Sequence, residues 1–159
     1  MKTKTSYNIA LATKADAIYV GANLRAADID ELEATFGPGR KQVATTVQAW
    51  RVSRDTTFVG LADEEPICLF GLGTPSLLSD VGCPWMLGTD KVGFYSRAFL
   101  RHSRRVVALW SEQFPILRNY ADARNTDAVR WLQWVGFDVY YPRPWGPLNM
   151  NFHEFEMRV

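Results

Sequence analysis

ARNTDAVRWLQWVGF, residues 123–137, sets the reading of the whole chain. Asn125 is a residue type that caps helices, because its side-chain oxygen can accept a hydrogen bond from a first-turn amide. Ala128, Trp131, Leu132 and Val135 follow at helical spacing and form one apolar stripe. Gly136 then predicts the C-terminal stop. Trp134 falls off the stripe, beside Asp127 and Arg130. An indole on the polar side of a helix predicts a contact, either within the domain or with a partner.

The neighbouring segments extend this pattern. ILRNYADA, just before the stretch, reads as a strand. DVYYPRP and LNMNFHEFEMRV, after it, read as two final strands with a Pro/Gly loop between them. Upstream lies SRAFLRHSRRVVALWSEQF, where Phe99, Ser103, Val106, Trp110 and Phe114 follow helical spacing. CPWMLGTD precedes it as a strand, and TTFVGLADEEPICLFGLGTPSL reads as a hairpin turning at ADEEP. RKQVATTVQAWRVS is a helix with Val43, Val47 and Trp50 on one side. KADAIYVGANLRAADIDELEATFGPG, with Ile18, Leu24, Ile29 and Leu32 at helical spacing, is either two short helices or one broken helix. YNIALAT is the first strand. The order β-α-α-β-β-β-α-β-α-β-β predicts one mixed α/β domain over residues 1–159, with a largely antiparallel sheet and crossover helices.

Composition narrows the chemistry. A net charge of +1 carries no signature of nucleic-acid or membrane binding. Two cysteines, Cys68 and Cys83, are too few for a disulfide framework or a zinc site, and both read as reduced core residues. With only His102 and His153, neither a histidine metal site nor a Ser-His-acid triad is expected. The first twenty residues contain no apolar run of signal-peptide or membrane length, so the chain is expected to stay in the cytosol where it is made. No Gly-Lys-Ser phosphate loop and no Gly-x-Ser-x-Gly elbow occurs.

Two sets of residues stand out. Arg97, Arg101, Arg104 and Arg105 lie along one face at the start of a helix. A helix N-terminus favours anions, and guanidinium forks grip phosphate oxygens. The same face also suits a dock for an acidic protein surface. The second set is acidic: Asp63, Glu64 and Glu65 in the hairpin turn, Asp90 after one strand and Asp122 near the end of another. A general base needs one carboxylate near the reacting amine, and nothing in the sequence singles one out; hairpin-turn acids are usually solvated, which leaves Asp90 and Asp122 as the candidates.

Together the elements and motifs resemble the GNAT superfamily of N-acetyltransferases, which use acetyl-CoA. IALATKADAIYV is similar to the family's opening, TTFVGLADEEPICLFGLG to its central hairpin, and NTDAVRWLQWVGF to its late motif, with Asn125, Ala128 and Gly136-Phe137 at full spacing. PWMLGTD, FLRHSRRVV, NYADARN and RWLQWVGF further resemble small GNAT-like proteins of tailed phages, labelled internal virion proteins or acetyltransferases. The resemblance implies a phage-encoded enzyme moving an acetyl group from acetyl-CoA to an amine, on a protein, in the host bacterial cytoplasm or packaged in the virion. It implies phosphate contacts from Arg97, Arg101 and Arg104, with Ser103 at the turn and Asn125 on the pantetheine side.

Two departures from the family pattern are visible. The glycine pair that lets backbone amides approach the pyrophosphate is absent from KVGFYSRAFLRHSRR, where Gly93 stands alone. The position seven after Asn125, often a tyrosine that protonates the leaving thiolate, is Leu132. Tyr120, Tyr140 or Tyr141 would have to substitute. The alternative implied is a degenerate GNAT fold acting as a virion component or host-protein-binding module, with Trp134 and the arginine face as partner surface.

Overall fold

The computed structural model describes residues 3–94 and 96–159. β1 (Tyr7–Leu11) leads into three helices, α1 (Lys14–Ala22), α2 (Ala26–Phe36) and α3 (Gln42–Val52). β2 (Phe58–Ala62), β3 (Glu65–Gly73) and β4 (Val81–Gly88) follow as a meander. Then come α4 (Arg97–Gln113), β5 (Ile116–Asp122) and α5 (Thr126–Val135). Three strands close the chain: β6 (Asp138–Val139), β7 (Arg143–Trp145) and β8 (Met150–Arg158). The expected α/β class and mostly antiparallel sheet are observed.

The sheet has eight strands in the order β1-β2-β3-β4-β5-β8-β6, with β7 also on β8. Every pairing is antiparallel except β4 with β5. That parallel pair shares ladder register only at Val81–Ile116 and Gly82–Leu117, and past it Asn119 Nδ2 donates across to the Pro84 carbonyl at 2.9 Å. Gly82 sits at the junction because a Cβ there would press on Leu72, Phe114 and Leu117 at 2.9–3.1 Å. Beyond this point the two strands part, and the sheet opens toward their C-terminal ends.

Two cores flank the sheet. One joins Phe70, Met86 and Leu117 to Phe99, Val107 and Trp110 of α4 and to Trp131, Leu132 and Val135 of α5. The other joins Leu69, Trp85 and Leu87 to residues of α1, α2 and α3, among them Val20, Leu32 and Trp50. Alternation along β4 explains the division: Met86 points to one face and Trp85 and Leu87 to the other.

Segment 14–39 is two helices. Thr13 and Asp16 close α1 with a reciprocal capping box. The chain then breaks at Asn23, and Arg25 supplies the residue before α2. The expected pair of C-terminal strands is three. Pro142 and Pro144 have no amide to give, so the DVYYPRP segment pairs only in short pieces on β8. Cys68 is buried and Cys83 half-buried, both as free thiols. No helix among the described residues is long and apolar enough to cross a membrane.

Helix α5 carries the expected stripe, with Trp131, Leu132 and Val135 buried. Gly136 ends it at φ 116°, a left-handed conformation that glycine adopts without strain. Trp134 is largely on the surface, as expected from its place off the stripe. The cap is different from expectation. The Asn125 side chain makes no capping bond, because it is committed elsewhere.

Candidate active site

A cavity of about 530 Å³ passes through the opening between β4 and β5. It is therefore lined from both faces of the sheet. On the α4–α5 face its walls include Met86, Val107, Trp110, Ala128 and Leu132. On the α2–α3 face they include Glu31, Phe36, Gln48, Trp85, Tyr120 and Trp145. Its size and its apolar walls with few polar groups are those of a ligand site.

The aromatic walls are held rigidly. Tyr120 stacks on Trp145 with centroids 4.5 Å apart, and Trp145 meets Phe152 edge-on at 4.9 Å. Trp85 lies directly over Gly71, where an added Cβ would stand 2.1 Å from its ring atoms, and its indole N–H donates to Ser53 Oγ at 3.3 Å. Gly71→Ala should therefore displace the indole and cost about 1–3 kcal/mol. Thermal melting with near-UV circular dichroism checks both effects.

A polar network spans the open end of the cleft. Arg25 donates to Asp28 through Nε at 3.2 Å and Nη2 at 2.9 Å, and from Nη2 to Asn125 Oδ1 at 3.1 Å. Asn125 Nδ2 donates to Asp28 Oδ1 at 3.1 Å and to Glu31 Oε2 at 2.9 Å. The Gly88 amide, at the end of β4, donates to Asp28 Oδ2 at 2.8 Å. The Arg25 guanidinium also lies 4.6 Å over the Phe94 ring. Arg25 thus neutralises Asp28, and Asn125 ties α2 to the start of α5.

Glu31 is the exception in this network. Burial raises its carboxyl to about 8, and the Asp28 and Asp122 charges push the same way, while the Asn125 amide opposes them. Among the described residues no cation is bonded to it. A carboxyl poised near neutral pH on a cavity wall is suited to proton transfer.

The structure separates the candidates named from sequence. Tyr120 and Asn125 both line the cavity, Asn125 as part of the polar network. Asp122 is only 1% exposed and is clamped by Arg124, whose backbone amide, Nε and Nη2 all bond its carboxylate. Asp90 sits on an exposed turn after β4 and does not line the cavity. Ser103 lies inside α4 and not at its turn: its hydroxyl donates to the Phe99 carbonyl and accepts from Trp131 Nε1. Arg104 donates to the Trp134 carbonyl at 2.9 Å. Arg97 and Arg101 are exposed on the first turns of α4. There Ser96 Oγ already takes the Phe99 amide.

Glu31, Asp28 and Arg25 are residues that sequence reasoning misses. Asp28 and Glu31 are three residues apart and so share a helix face. That spacing is the available signal, but in a helix with four acids it reads as a solvated surface.

Solved structures of similar shape include several acetyltransferases. A ribosomal-protein-alanine N-acetyltransferase from Brucella melitensis matches with TM-score 0.70 at 15% identity, over 96% of this chain and 99% of that one. A GNAT-family acetyltransferase from Bacillus anthracis matches with TM-score 0.69 at 7% identity, over 96% and 94%. An aminoglycoside acetyltransferase solved with coenzyme A matches with TM-score 0.64 at 14% identity, over 96% and 95%. No protein-family model matches the chain, and no curated protein matches it by sequence. The chain has the GNAT fold.

Proposed function

We propose that this protein is a GNAT-type N-acetyltransferase, phage-encoded as its sequence resemblance implies, that acetylates an amine. The observation that carries the reading is Glu31 in a cavity crossing the splayed strands. The likeness to acetyltransferases supports it at the level of fold, and one of them holds coenzyme A.

The fit to acetyl-CoA can be judged from the cleft. The half lined by Val107, Trp110, Ala128 and Leu132 is apolar and suits a thin pantetheine arm. For the phosphates the chain offers exposed guanidinium groups on Arg97 and Arg101 in place of a glycine cradle. Acetyl-CoA, when bound, supplies a thioester whose C–S bond breaks as the amine forms its C–N bond, the electron pair leaving with sulfur. Glu31 takes the proton that the attacking nitrogen sheds. Tyr120 lines the same cavity, and we give it the return of a proton to the departing sulfur. The aromatic walls exclude water around the reacting centre.

Titration calorimetry with acetyl-CoA and coenzyme A tests this reading. Binding in the micromolar range is expected, and no heat at millimolar ligand sinks it. Charge reversal at Arg97 and Arg101 together should weaken binding about tenfold or more, with the loss shrinking at high salt.

One observation favours a second reading, a binding module on a degenerate fold. Asp28 occupies the last amide of β4, and Asn125 spends both donors and its acceptor inside the protein. Leu132 is buried where a proton donor would stand. In that case the arginine face with Trp134 would meet a virion or host protein. Mass spectrometry of purified virions and pull-down from host lysate address it, and absence from both removes it.

A further inference from the structure

We propose that the α2–α3 half of the cavity takes an arylalkylamine, a primary amine carried on a flat apolar ring, as the acetyl acceptor. This rests on the acetyltransferase reading of the same cavity.

The walls select the body of such a molecule. Phe36, Trp85, Tyr120 and Trp145 surround this half, and Leu32 and Val52 complete it. Trp145 is fixed by its stack on Tyr120 and its edge contact with Phe152, and Trp85 by its seat on Gly71. Rigid ring faces gain most from another flat ring, through offset or edge contacts and the area they bury. The same faces attract an ammonium group.

The polar groups select the amine and limit its number of charges. Glu31 is the acid on this half that makes no ion pair among the described residues, Arg124 acting on it only at longer range and being itself bonded to Asp122. Asp28 is spent on Arg25, on the Gly88 amide and on Asn125. A polyamine bringing a second ammonium therefore meets no further open carboxylate on this wall. It meets instead the guanidinium of Arg40, which lines the cavity and lies 4.9 Å over the Phe36 ring. An acceptor whose carboxylate is carried next to its amine would bring that carboxylate against ionised Glu31.

The test uses the intact chain and two independent readouts. Tryptamine, phenethylamine, spermidine and a short lysine peptide are titrated while following either intrinsic tryptophan fluorescence or, for tryptamine, calorimetric heat. The same four are then offered with acetyl-CoA, with release of free thiol as the signal. The expected result is that the two arylalkylamines bind and are acetylated at least tenfold better than spermidine or the peptide. Trp145→Ala should lose at least tenfold in amine affinity while coenzyme A still binds. Phe36→Ala, on a more exposed residue, repeats the measurement should Trp145→Ala fail to fold. Equal or better use of spermidine or the lysine peptide overturns the proposal, as does coenzyme A binding with no arylalkylamine binding. Arylalkylamine binding without any coenzyme A binding leaves the site standing and removes the transferase reading instead.

Discussion

Glu31→Gln should lower acetyl transfer about 10²–10⁴-fold, the usual cost of removing a general base. The wild-type rate should climb with pH and level off above about 8, where the Glu31 carboxyl ionises. The variant should lose that climb. Stability should move in the opposite direction. The folded protein holds the Glu31 proton more tightly than the unfolded chain does, since the carboxyl is raised from 4.5 to about 8. Its contribution is therefore complete below about pH 4.5 and is lost as pH rises through 8. Glutamine keeps an acceptor for the Asn125 amide and never ionises. At pH 9 the variant should be the more stable protein, by about 1–3 kcal/mol after allowing for partial solvation of the carboxyl. At pH 4 the two should melt together. A merely structural Glu31 would give a variant of unchanged activity, and a variant less stable at every pH would refute the placement of the carboxyl. Initial rates and melting curves across pH 4–9 check both halves.

The same opposition is expected of a site that trades stability for chemistry. An acid on a cavity wall with no ion pair of its own weakens the fold at neutral pH. The neighbouring carboxylates show the contrast. Asp28 has Arg25, Asp122 has Arg124, and Glu156 has Arg118 and Arg158. The paired arginines hold the Glu156 carboxyl below its ordinary range. Glu31, in the α2–α5 network, is held by the Asn125 amide and the Asp122 backbone rather than by an ion pair.

Sequence periodicity locates the elements because each has a stripe or an alternation of its own. Trp131, Leu132 and Val135 mark α5, and Phe99, Val106 and Trp110 mark α4, from local spacing alone. The site is less legible because its bonds are long-range. Asn125 stands out by type and spacing, yet its partners Arg25 and Asp28 lie 100 and 97 residues away. Local pattern assigns it a cap, which a helix-terminal asparagine makes by default, and tertiary hydrogen bonding overrides that default. Ser103 shows the same limit. A small residue near a helix start reads as a turn beside phosphate, whereas its hydroxyl serves the buried Trp131 indole. Asp90 and Asp122 are conspicuous for ending strands, which says nothing of exposure or of the arginine two residues beyond Asp122.

Arg25→Ala should cost more stability than either Gly71→Ala or Glu31→Gln. It strips the partner from a carboxylate that is 3% exposed and removes the guanidinium from over Phe94. Breaking one side of a buried ion pair costs about 3–5 kcal/mol. In a chain of this length that is a fall in melting temperature of roughly 6–20 °C. Replacing both partners, as Arg25→Met with Asp28→Leu, should recover part of the loss, because no unpaired charge is then buried. Recovery should stay incomplete, since the Gly88 amide and Asn125 Nδ2 both lose an acceptor. The double variant also distinguishes the two functional readings. Freeing the Gly88 amide should strengthen coenzyme A binding if the network blocks the arm's path along β4. It should weaken binding if the network instead holds α2 and α5 at the separation the arm requires. Melting of the single and double variants, with calorimetry against coenzyme A on each, measures the two effects on the same samples. A loss below about 1 kcal/mol for Arg25→Ala would show that Asp28 is not held as an ion pair.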